Sequence, residues 1–379
     1  MDQIKLLVIC FSRFIMKIFY IFPLKRNRIY LTSDRGKTMR CNPMYIYKYM
    51  HQNLPGRYQY IWEYEKSVKS AEKDTLFVKP KTIKSFYYIL TAKIIISNSG
   101  LGAYIPKRST QCFINTWHGG GAYKRVGVES SAEAQAVEKQ ITKICGRQTD
   151  IFVSSSRKFT AVMTQSKLIP KTHFLECGMP RNDRMVNGEY GSSVMKVKRK
   201  LGISADESII LFAPTYRGTE KGSYFDAGID IEACLQAAGE RFGGKWAFLM
   251  RNHLFVEKTG QADCINANNY PDMQELLIAA DIFITDYSST IWDYSLLAKP
   301  GFLFVPDIDR CKDTIGFYTE PETWAFPLAK TNDELVELIK AYDTEKNREK
   351  IKKHHALLGN SESGKATETI VHKIREMTE

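Results

Sequence analysis

The chain has 379 residues, of which 44% are hydrophobic and 25% charged, and this composition excludes a disordered protein. The length predicts two domains, and the net charge of +12 predicts an anionic partner such as nucleic acid, a phospholipid surface or a phosphorylated substrate. The eight cysteines are spread singly with no zinc-ligand spacing, which argues against a disulfide or metal framework and favours reduced residues of a cytosolic protein.

Residues 4–24 are apolar, but three basic residues interrupt the run and no small-residue cleavage site follows, so neither a spanning helix nor a secretion signal is expected. On a helical wheel the polar residues Asp2, Lys5, Ser12, Arg13 and Lys17 separate from the apolar residues Leu7, Phe11, Phe14, Ile18 and Phe22. This pattern predicts that residues 1–24 form an amphipathic helix in a membrane interface, where Lys25, Arg26 and Arg28 would meet anionic head groups. The alternative is a helix packed on its own domain.

Beyond this segment, short apolar strand-like runs alternate with helical patterns. The predicted strands are 29–33, 58–64, 75–78, 94–97, 112–117, 151–154, 173–177, 209–213, 246–250, 282–285 and 302–305. The predicted helices are 43–54, 83–92, 157–168, 194–201, 231–241, 273–280 and 290–298, followed by a solvated helix pair in the tail 333–379. Alternation of this kind predicts mostly parallel sheets covered on both faces.

The apolar pattern lapses at 187–193, where Asn, Gly and Ser residues predict a linker. We therefore expect an N-terminal Rossmann-like domain over 25–190 and a C-terminal one over 194–379. Two such domains facing each other would leave a central cleft at the carboxyl ends of their strands, where ligands bind in open α/β sheets.

Polar clusters follow several predicted strands, at 116–125, 178–183, 213–217, 251–253 and 285–290. His118 precedes three glycines, so a ligand can approach its ring, and an ordinary pKa of about 6.5 suits a general base. A hydrogen-bonded structural histidine is the alternative. The glycines form neither a Walker loop nor a G-x-G-x-x-G fingerprint, which excludes a P-loop kinase and argues against a dehydrogenase.

The stretch 281–293 joins an apolar strand to a helix through Asp286, Ser288 and Ser289. The first N–H groups of a helix have no partners within it, so hydroxyl groups at this turn suit a phosphate, although a plain helix cap is the alternative. Arg217 and Arg251 follow neighbouring strands and would complete a diphosphate pocket, unless each forms a surface ion pair. No cluster of acidic metal ligands is evident, so no metal or other cofactor is predicted.

Six motifs stand in a characteristic order and spacing. They are Asn42-Pro43 with Tyr45-Ile46-Tyr47, Trp117-His118-Gly119, Gly178-x-Pro180-Arg181-Asn182-Asp183, Ala213-Pro214-Thr215-x-Arg217, Arg251-x-His253 and Thr285-Asp286-Tyr287-Ser288-Ser289. With these motifs the chain resembles the CDP-glycerol glycerophosphotransferase family, whose members prime or extend teichoic acids and related polymers. The resemblance implies a GT-B-like fold of two Rossmann-like domains. It departs at 120–123, where Gly-Gly-Ala-Tyr replaces the frequent Thr-Pro of the family.

The resemblance implies that His118 and His253 are catalytic, with His118 as the base on the acceptor hydroxyl. It implies substrate-binding roles for Trp117, Gly119, Arg181, Asn182, Asp183, Thr215, Arg217, Arg251, Thr285, Asp286, Ser288 and Ser289. The expected reaction moves a polyol phosphate, glycerol phosphate first, from a CDP-polyol to a hydroxyl of a teichoic-acid-like or capsular polymer and releases CMP.

The expected partners are a CDP-polyol donor, a lipid-linked glycan or polyol-phosphate acceptor and an anionic membrane surface, and the expected location is peripheral, on the inner face of the cell membrane. A CDP-ribitol enzyme and a GT-B glycosyltransferase with a nucleotide sugar remain the enzymatic alternatives. No nucleic-acid motif stands out, so nucleic acid is not an expected partner. Polyol, acceptor, primase or polymerase action and oligomeric state stay open.

Overall fold

The computed structural model describes residues 2–68, 72–130, 136–215, 228–251, 264–314 and 316–379. These residues fall into two units that interleave along the chain. The first unit comprises 1–118, 126–183 and 360–379, and the second comprises 119–125 and 184–359. The units differ from the predicted domains at three places, because 119–125 and 184–190 belong to the second unit and 360–379 belongs to the first.

Each unit is built on a parallel sheet. The strands are β1 (Lys25–Thr32), β2 (Gln59–Glu63), β3 (Thr75–Val78), β4 (Ala92–Ser97), β5 (Cys112–Asn115), β6 (Ile151–Ser154), β7 (Phe174–Glu176), β8 (Glu207–Phe212), β9 (Lys245–Met250), β10 (Ile265–Asn266), β11 (Ile282–Thr285), β12 (Gly301–Phe304) and β13 (Leu328–Ala329). In the described part of the chain the first unit has the order β3-β2-β1-β4-β5-β6-β7 and the second β10-β9-β8-β11-β12-β13. The prediction of an α/β fold with parallel sheets is confirmed.

Helices cover the strands. They are α1 (Asp2–Met16), α2 (Cys41–Asn53), α3 (Ile83–Thr91), α4 (Ala136–Gln148), α5 (Arg157–Ser166), α6 (Asp183–Val186), α7 (Gly191–Leu201), α8 (Ile231–Phe242), α9 (Met273–Ala279), α10 (Thr290–Ser295), α11 (Ile308–Thr314), α12 (Asn332–Lys340), α13 (Thr344–Leu358) and α14 (Ala366–Thr378). Central strands such as β4 and β11 are buried on both faces, because side chains on alternate sides both meet helices.

Local sequence sets where several helices begin. Ser156 accepts a hydrogen bond from the backbone N–H of Phe159 at 3.1 Å and caps α5. Thr331 caps α12 in the same way through the N–H of Glu334. Such caps satisfy donors that the first helical turn leaves unpaired.

The tail does not form the solvated helix pair that its charge predicts. It contains α12, α13 and α14, and each helix buries an apolar side, with Leu335, Ile351 and Ile370 among the buried residues. The physical reason is the three-to-four-residue spacing of these apolar residues, which a high content of charged residues obscures.

The N-terminal segment is helical over Asp2–Met16 and continues as a 3₁₀ turn over Lys17–Ile21. Arg13, expected on a solvent-facing polar side, instead donates from Nη1 to the carbonyls of Ala103 and Ile105 at 2.7 and 2.9 Å. Large apolar side chains remain exposed on the other side, including Ile4, Leu7, Val8, Phe11, Phe14, Ile15 and Ile18. No helix in the described ranges combines the length and apolar character needed to cross a membrane.

Arg28 corrects one expectation for this segment. Its side chain is only 6% exposed, donates to Gln59 Oε1 at 2.7 Å and lies 4.8 Å from the ring centroid of Tyr88. It therefore does not reach a membrane surface, whereas Lys25 and Arg26 are exposed. The reason is its place within β1, where the strand enters the core.

Two glycines of the second unit give a matched test of packing. A Cβ added at Gly301 would lie 2.7 Å from ring atoms of the buried Phe326, so Gly301→Ala should lower the free energy of unfolding by about 1–3 kcal/mol. Gly239 lies inside α8 with open space around it, so Gly239→Ala should raise stability by about 1 kcal/mol. Urea unfolding measures both; equal effects would contradict the described packing of β12.

Candidate active site

Three neighbouring strands of the first unit end in polar residues. Asp34 lies just beyond β1, Asn98 directly follows β4, and His118 follows β5 by three residues. Because β1 pairs with β4 and β4 with β5, the three residues lie at one edge of the sheet. This edge is the one where open α/β sheets carry their ligand sites.

The ring of His118 is held by the backbone. Its Nδ1 lies 2.8 Å from the carbonyl oxygen of Asn98. A carbonyl only accepts hydrogen bonds, so Nδ1 carries the proton and Nε2 is left as the basic nitrogen. In the described ranges the structure gives Nε2 no hydrogen-bond partner.

The surroundings of His118 favour its neutral form. His118 is exposed to solvent on one side, but protein atoms displace water from much of its ring. This partial burial lowers the pKa of His118 below its ordinary value. The hydrogen bond to Asn98 and the charge of Asp34 raise this pKa, whereas Arg181 and Lys167 lower it further. A neutral imidazole with an available Nε2 can accept a proton near neutral pH.

Asn98 is itself locked in place. Its side chain is fully buried, accepts from the backbone N–H of Asp34 at 2.8 Å and donates to Asp34 Oδ1 at 3.0 Å. Burial alone would raise the pKa of Asp34, but hydrogen bonds and charge from Thr38, Arg40 and Asn98 hold it below its ordinary value. The ionised carboxylate therefore orients the residue whose carbonyl orients His118.

Trp117 lies against His118. The two ring centroids are 4.6 Å apart with planes inclined by 24°. Trp117 has a positive φ of 51°, and its carbonyl accepts from the side chain of the buried Asn42 at 3.0 Å. Gly119 is buried and opens the segment of the second unit, where Gly120 packs so closely on Trp292 that a Cβ would overlap the indole.

The cluster 178–183 is a structural junction within the first unit. The backbone N–H of Arg181 donates to Asn42 Oδ1 at 3.1 Å, and the buried Arg181 side chain contacts Cys41 Sγ at 3.3 Å. Asn182 donates to Glu362 Oε1 at 3.0 Å. Substrate binding by Arg181 and Asn182 stays a prediction.

Asp183 binds the start of the last helix. Its two carboxylate oxygens accept from the backbone N–H groups of Ala366 at 2.9 Å and Thr367 at 2.8 Å. These are the first residues of α14, whose N–H groups have no partner within the helix. The contact gives Asp183 a structural role, and its predicted role in substrate binding stays a prediction.

The second unit repeats the strand-end arrangement. Thr215 follows β8, Arg251 follows β9 and Asp286 follows β11, and these strands are neighbours in the sheet. Asp286 accepts from the backbone N–H of Thr215 at 2.8 Å and also from its hydroxyl. Arg251 donates to the carbonyl of Tyr270 at 2.9 Å, and Thr285 donates to the carbonyl of Ala213 at 2.7 Å.

In the serine turn after Asp286, the side chain of Ser288 forms hydrogen bonds to a nearby residue of the same segment. Ser288 Oγ accepts from the hydroxyl of Thr290 at 2.8 Å and from its backbone N–H at 3.3 Å. Ser289 precedes α10, which runs for only six residues, and makes no side-chain cap. Phosphate binding at Ser288 and Ser289 stays a prediction.

Two predicted site residues, Arg217 and His253, lie outside the described residues. Within the described part, no group of three or more His, Cys, Asp or Glu residues is arranged to hold a metal ion. The expectation that no metal is needed stays a prediction.

Sequence reasoning missed Asp34 and Asn98. Both follow predicted strands, so the rule that found the other clusters applies to them as well. What no sequence pattern indicates is that Asn98 acts through its backbone carbonyl.

Residues 14–376 match the family described as CDP-glycerol:poly(glycerophosphate) glycerophosphotransferase. The chain belongs to this family. The match covers both units and every strand-end cluster described above. His118 in the first unit and Thr215 and Asp286 in the second therefore lie within the part of the chain that defines the family.

Named relatives in the family make teichoic acids. The chain is 31% identical over 337 residues to the teichoic acid poly(glycerol phosphate) polymerase of Bacillus subtilis, covering 84% of this chain but 44% of that protein. It is 29% identical over 384 residues to the corresponding polymerase of Bacillus spizizenii, covering 95% of both chains. A poly(ribitol-phosphate) polymerase of Bacillus spizizenii is less similar, at 24% identity.

The fold of the family is also seen in solved structures. The wall teichoic acid polymerase TagF, in an H444N variant soaked with CDPG, superposes with a TM-score of 0.83 at 25% identity. The superposition covers 99% of this chain and 96% of that one. The glycerophosphotransferase family assignment therefore rests on sequence and fold together.

The role of Asp183 can be separated from substrate binding. Asp183→Ala should lower the free energy of unfolding by about 1–2 kcal/mol, because two N–H groups of α14 lose their acceptor, whereas Asp183→Asn keeps an acceptor and should lose less. Urea unfolding measures stability, and turnover per folded molecule measures function. A variant of unchanged stability with a raised KM would assign Asp183 to substrate instead.

Proposed function

We propose that this chain transfers glycerol phosphate from CDP-glycerol to a hydroxyl of a teichoic-acid-like acceptor and releases CMP. The family assignment supports the reaction type, and the greater similarity to glycerol-phosphate than to ribitol-phosphate polymerases supports the polyol. Two parallel α/β units of Rossmann-like order also support a GT-B-like fold.

The observation that carries the proposal is the state of His118. Its Nδ1 proton is committed to Asn98, its pKa lies below the ordinary value because of burial, and Nε2 is the basic atom. Nε2 takes the proton of the acceptor hydroxyl, whose oxygen forms a bond to the β-phosphorus of the donor. The bond from that phosphorus to the CMP oxygen breaks in line, and catalysis rests on positioning and charge stabilisation.

We assign donor binding to the second unit. Arg251, Thr215 and the Ser288–Ser289 turn follow adjacent strands there, and Thr285 is the last residue of β11. Donors and cations of this kind suit a diphosphate. Arg217 and His253 are proposed to join them, His253 as the group that stabilises charge on the departing CMP. Asp286 orients Thr215 through two hydrogen bonds.

We also propose peripheral binding to an anionic membrane, on its inner face, where a lipid-linked acceptor would be held. The exposed apolar side of α1 supports this, with Phe14 73% exposed, and the exposed Lys25 and Arg26 follow it. An apolar helix side flanked by basic residues suits a membrane interface. The contacts of Arg13 fix the helix on the first unit and turn that side outward.

His118 gives the direct test of the chemistry. His118→Asn should lower CMP release by at least about 100-fold, because the base is lost, while CDP-glycerol binding measured by calorimetry stays near wild type. His372 is exposed, so His372→Asn is the matched control and should leave CMP release unchanged.

The identity of the donor is tested by incubating the wild-type protein with CDP-glycerol, CDP-ribitol and UDP-sugars in turn. Release of UDP, or preference for CDP-ribitol, would replace the proposed donor.

The pH dependence follows from the direction of the pKa shift. Protonation of His118 removes the base, so kcat/KM should fall as the pH drops through its pKa. Burial lowers that pKa, so the midpoint of the acid limb should lie below the ordinary value of about 6.5. A midpoint above 6.5 in the free enzyme would contradict the environment described for the ring.

Membrane binding is tested by flotation of the full chain with anionic liposomes. Replacing Leu7, Phe11 and Phe14 together with Gln should abolish flotation, because each side chain loses apolar area available to the bilayer. Leu357→Gln removes an equally exposed apolar side chain from the second unit and should leave flotation intact. Unchanged flotation of the triple variant would end the proposal.

A further inference from the structure

Two cations of the first unit have no role in the chemistry described above. Lys167 follows α5, and its Nζ lies 4.7 Å from the centroid of the Trp117 indole. Trp117 is also stacked on His118, so one indole contacts both the ammonium group and the imidazole. The second cation is Arg35, on the turn that follows β1.

Lys167 lies within range of the charge of Arg35 and of the ring of His118. Burial lowers the pKa of Lys167, Cys145 raises it, and the charge of Arg35 lowers it further. Lys167 in turn lowers the pKa of His118. Lys167 therefore shares one region of the first unit with the base, and Arg35 lies within range of Lys167.

No carboxylate in the described part of the chain neutralises either cation. Within the described ranges, Lys167 and Arg35 form no ion pair with a carboxylate and donate no side-chain hydrogen bond. Asp34, the acid on the same turn, is instead engaged by Thr38 and Arg40. A half-buried ammonium group beside a second positive charge is unfavourable unless an anion completes the group.

A purely structural role explains only part of this arrangement. The cation–π contact with Trp117 accounts for the position of Lys167. It does not account for Arg35, which is exposed and holds a positive φ of 58°, a conformation that side chains other than glycine rarely adopt. The left-handed turn over 34–36 keeps Arg35 at the carboxyl end of β1, on the same sheet edge as His118.

We propose that Lys167, which lies beside Trp117, and Arg35, on the turn after β1, form a subsite for a phosphodiester of the acceptor. This inference rests on the proposed function, in which the acceptor hydroxyl meets His118. In a polyol-phosphate chain the terminal hydroxyl is one polyol away from the first phosphodiester. Cations set next to the base would therefore bind that phosphodiester and bring the terminal hydroxyl to Nε2.

The subsite predicts a selective defect. With saturating CDP-glycerol and a soluble glycerol-phosphate oligomer as acceptor, Lys167→Gln and Arg35→Gln should each raise the KM for acceptor by about tenfold or more, since a charged contact to phosphate is lost. The KM for CDP-glycerol and the kcat at saturating acceptor should stay near wild type. Lys167→Arg keeps the charge and should retain most of the affinity.

The matched control is Lys171→Gln, which removes an exposed charge four residues further along the same unit. Thermal unfolding verifies that each variant is folded. An equal rise in the KM for CDP-glycerol, or an unchanged KM for acceptor in Lys167→Gln and Arg35→Gln, would overturn the subsite.

A binding measurement separates this inference from the proposed function. Calorimetry with the glycerol-phosphate oligomer, without donor, should show binding to wild type that Lys167→Gln loses and Lys171→Gln keeps. If wild type releases no CMP but binds the oligomer in this pattern, the proposed reaction fails and the subsite stands. If wild type releases CMP and the two variants bind the oligomer equally well, the subsite fails and the reaction stands.

Discussion

The hydrogen bond between Nδ1 of His118 and the carbonyl of Asn98 is the constraint on which the proposed chemistry depends. It decides which ring nitrogen carries the proton, and so which atom can act as a base. The bond is possible because β4 and β5 are parallel neighbours whose ends lie side by side. Asp34, beyond the next strand, holds the Asn98 side chain and so keeps the carbonyl in place.

In both units, polar residues cluster at the carboxyl ends of buried strands. Strands buried on both faces leave the chain no room for polar groups until the strand ends, so polar side chains gather where the backbone emerges. In the first unit this places an imidazole, an amide and a carboxylate at one edge of the sheet, and in the second it places hydroxyl, carboxylate and guanidinium groups there. Glycines 119–121 join the two kinds of site along the chain, since His118 belongs to the first unit and the next residue to the second.

The strands were the most predictable part of the fold. Continuous apolar runs bounded by polar residues placed β3, β6 and β11 at their observed limits. Strands β10 and β13 have two residues each, which is too short for any periodic pattern to show. The three tail helices were harder to predict because their buried apolar sides are diluted by lysine and glutamate.

The candidate site was predictable where a side chain itself has the proposed role. His118 is visible in the sequence because an imidazole beside glycines at a strand end is a recognisable pattern. The part played by Asn98 is not, because a backbone carbonyl has no sequence signature. The structural contact of Asp183 was not predictable either, because its carboxylate binds α14 from more than 180 residues away along the chain.

The most direct measurement is nitrogen-15 NMR of the histidine side chains across a pH titration, with the His118 signal assigned by its loss in His118→Asn. We expect a neutral ring protonated at Nδ1, with a pKa below the ordinary value of about 6.5. A ring protonated at Nε2, or one that takes up its second proton above pH 6.5, would contradict this expectation.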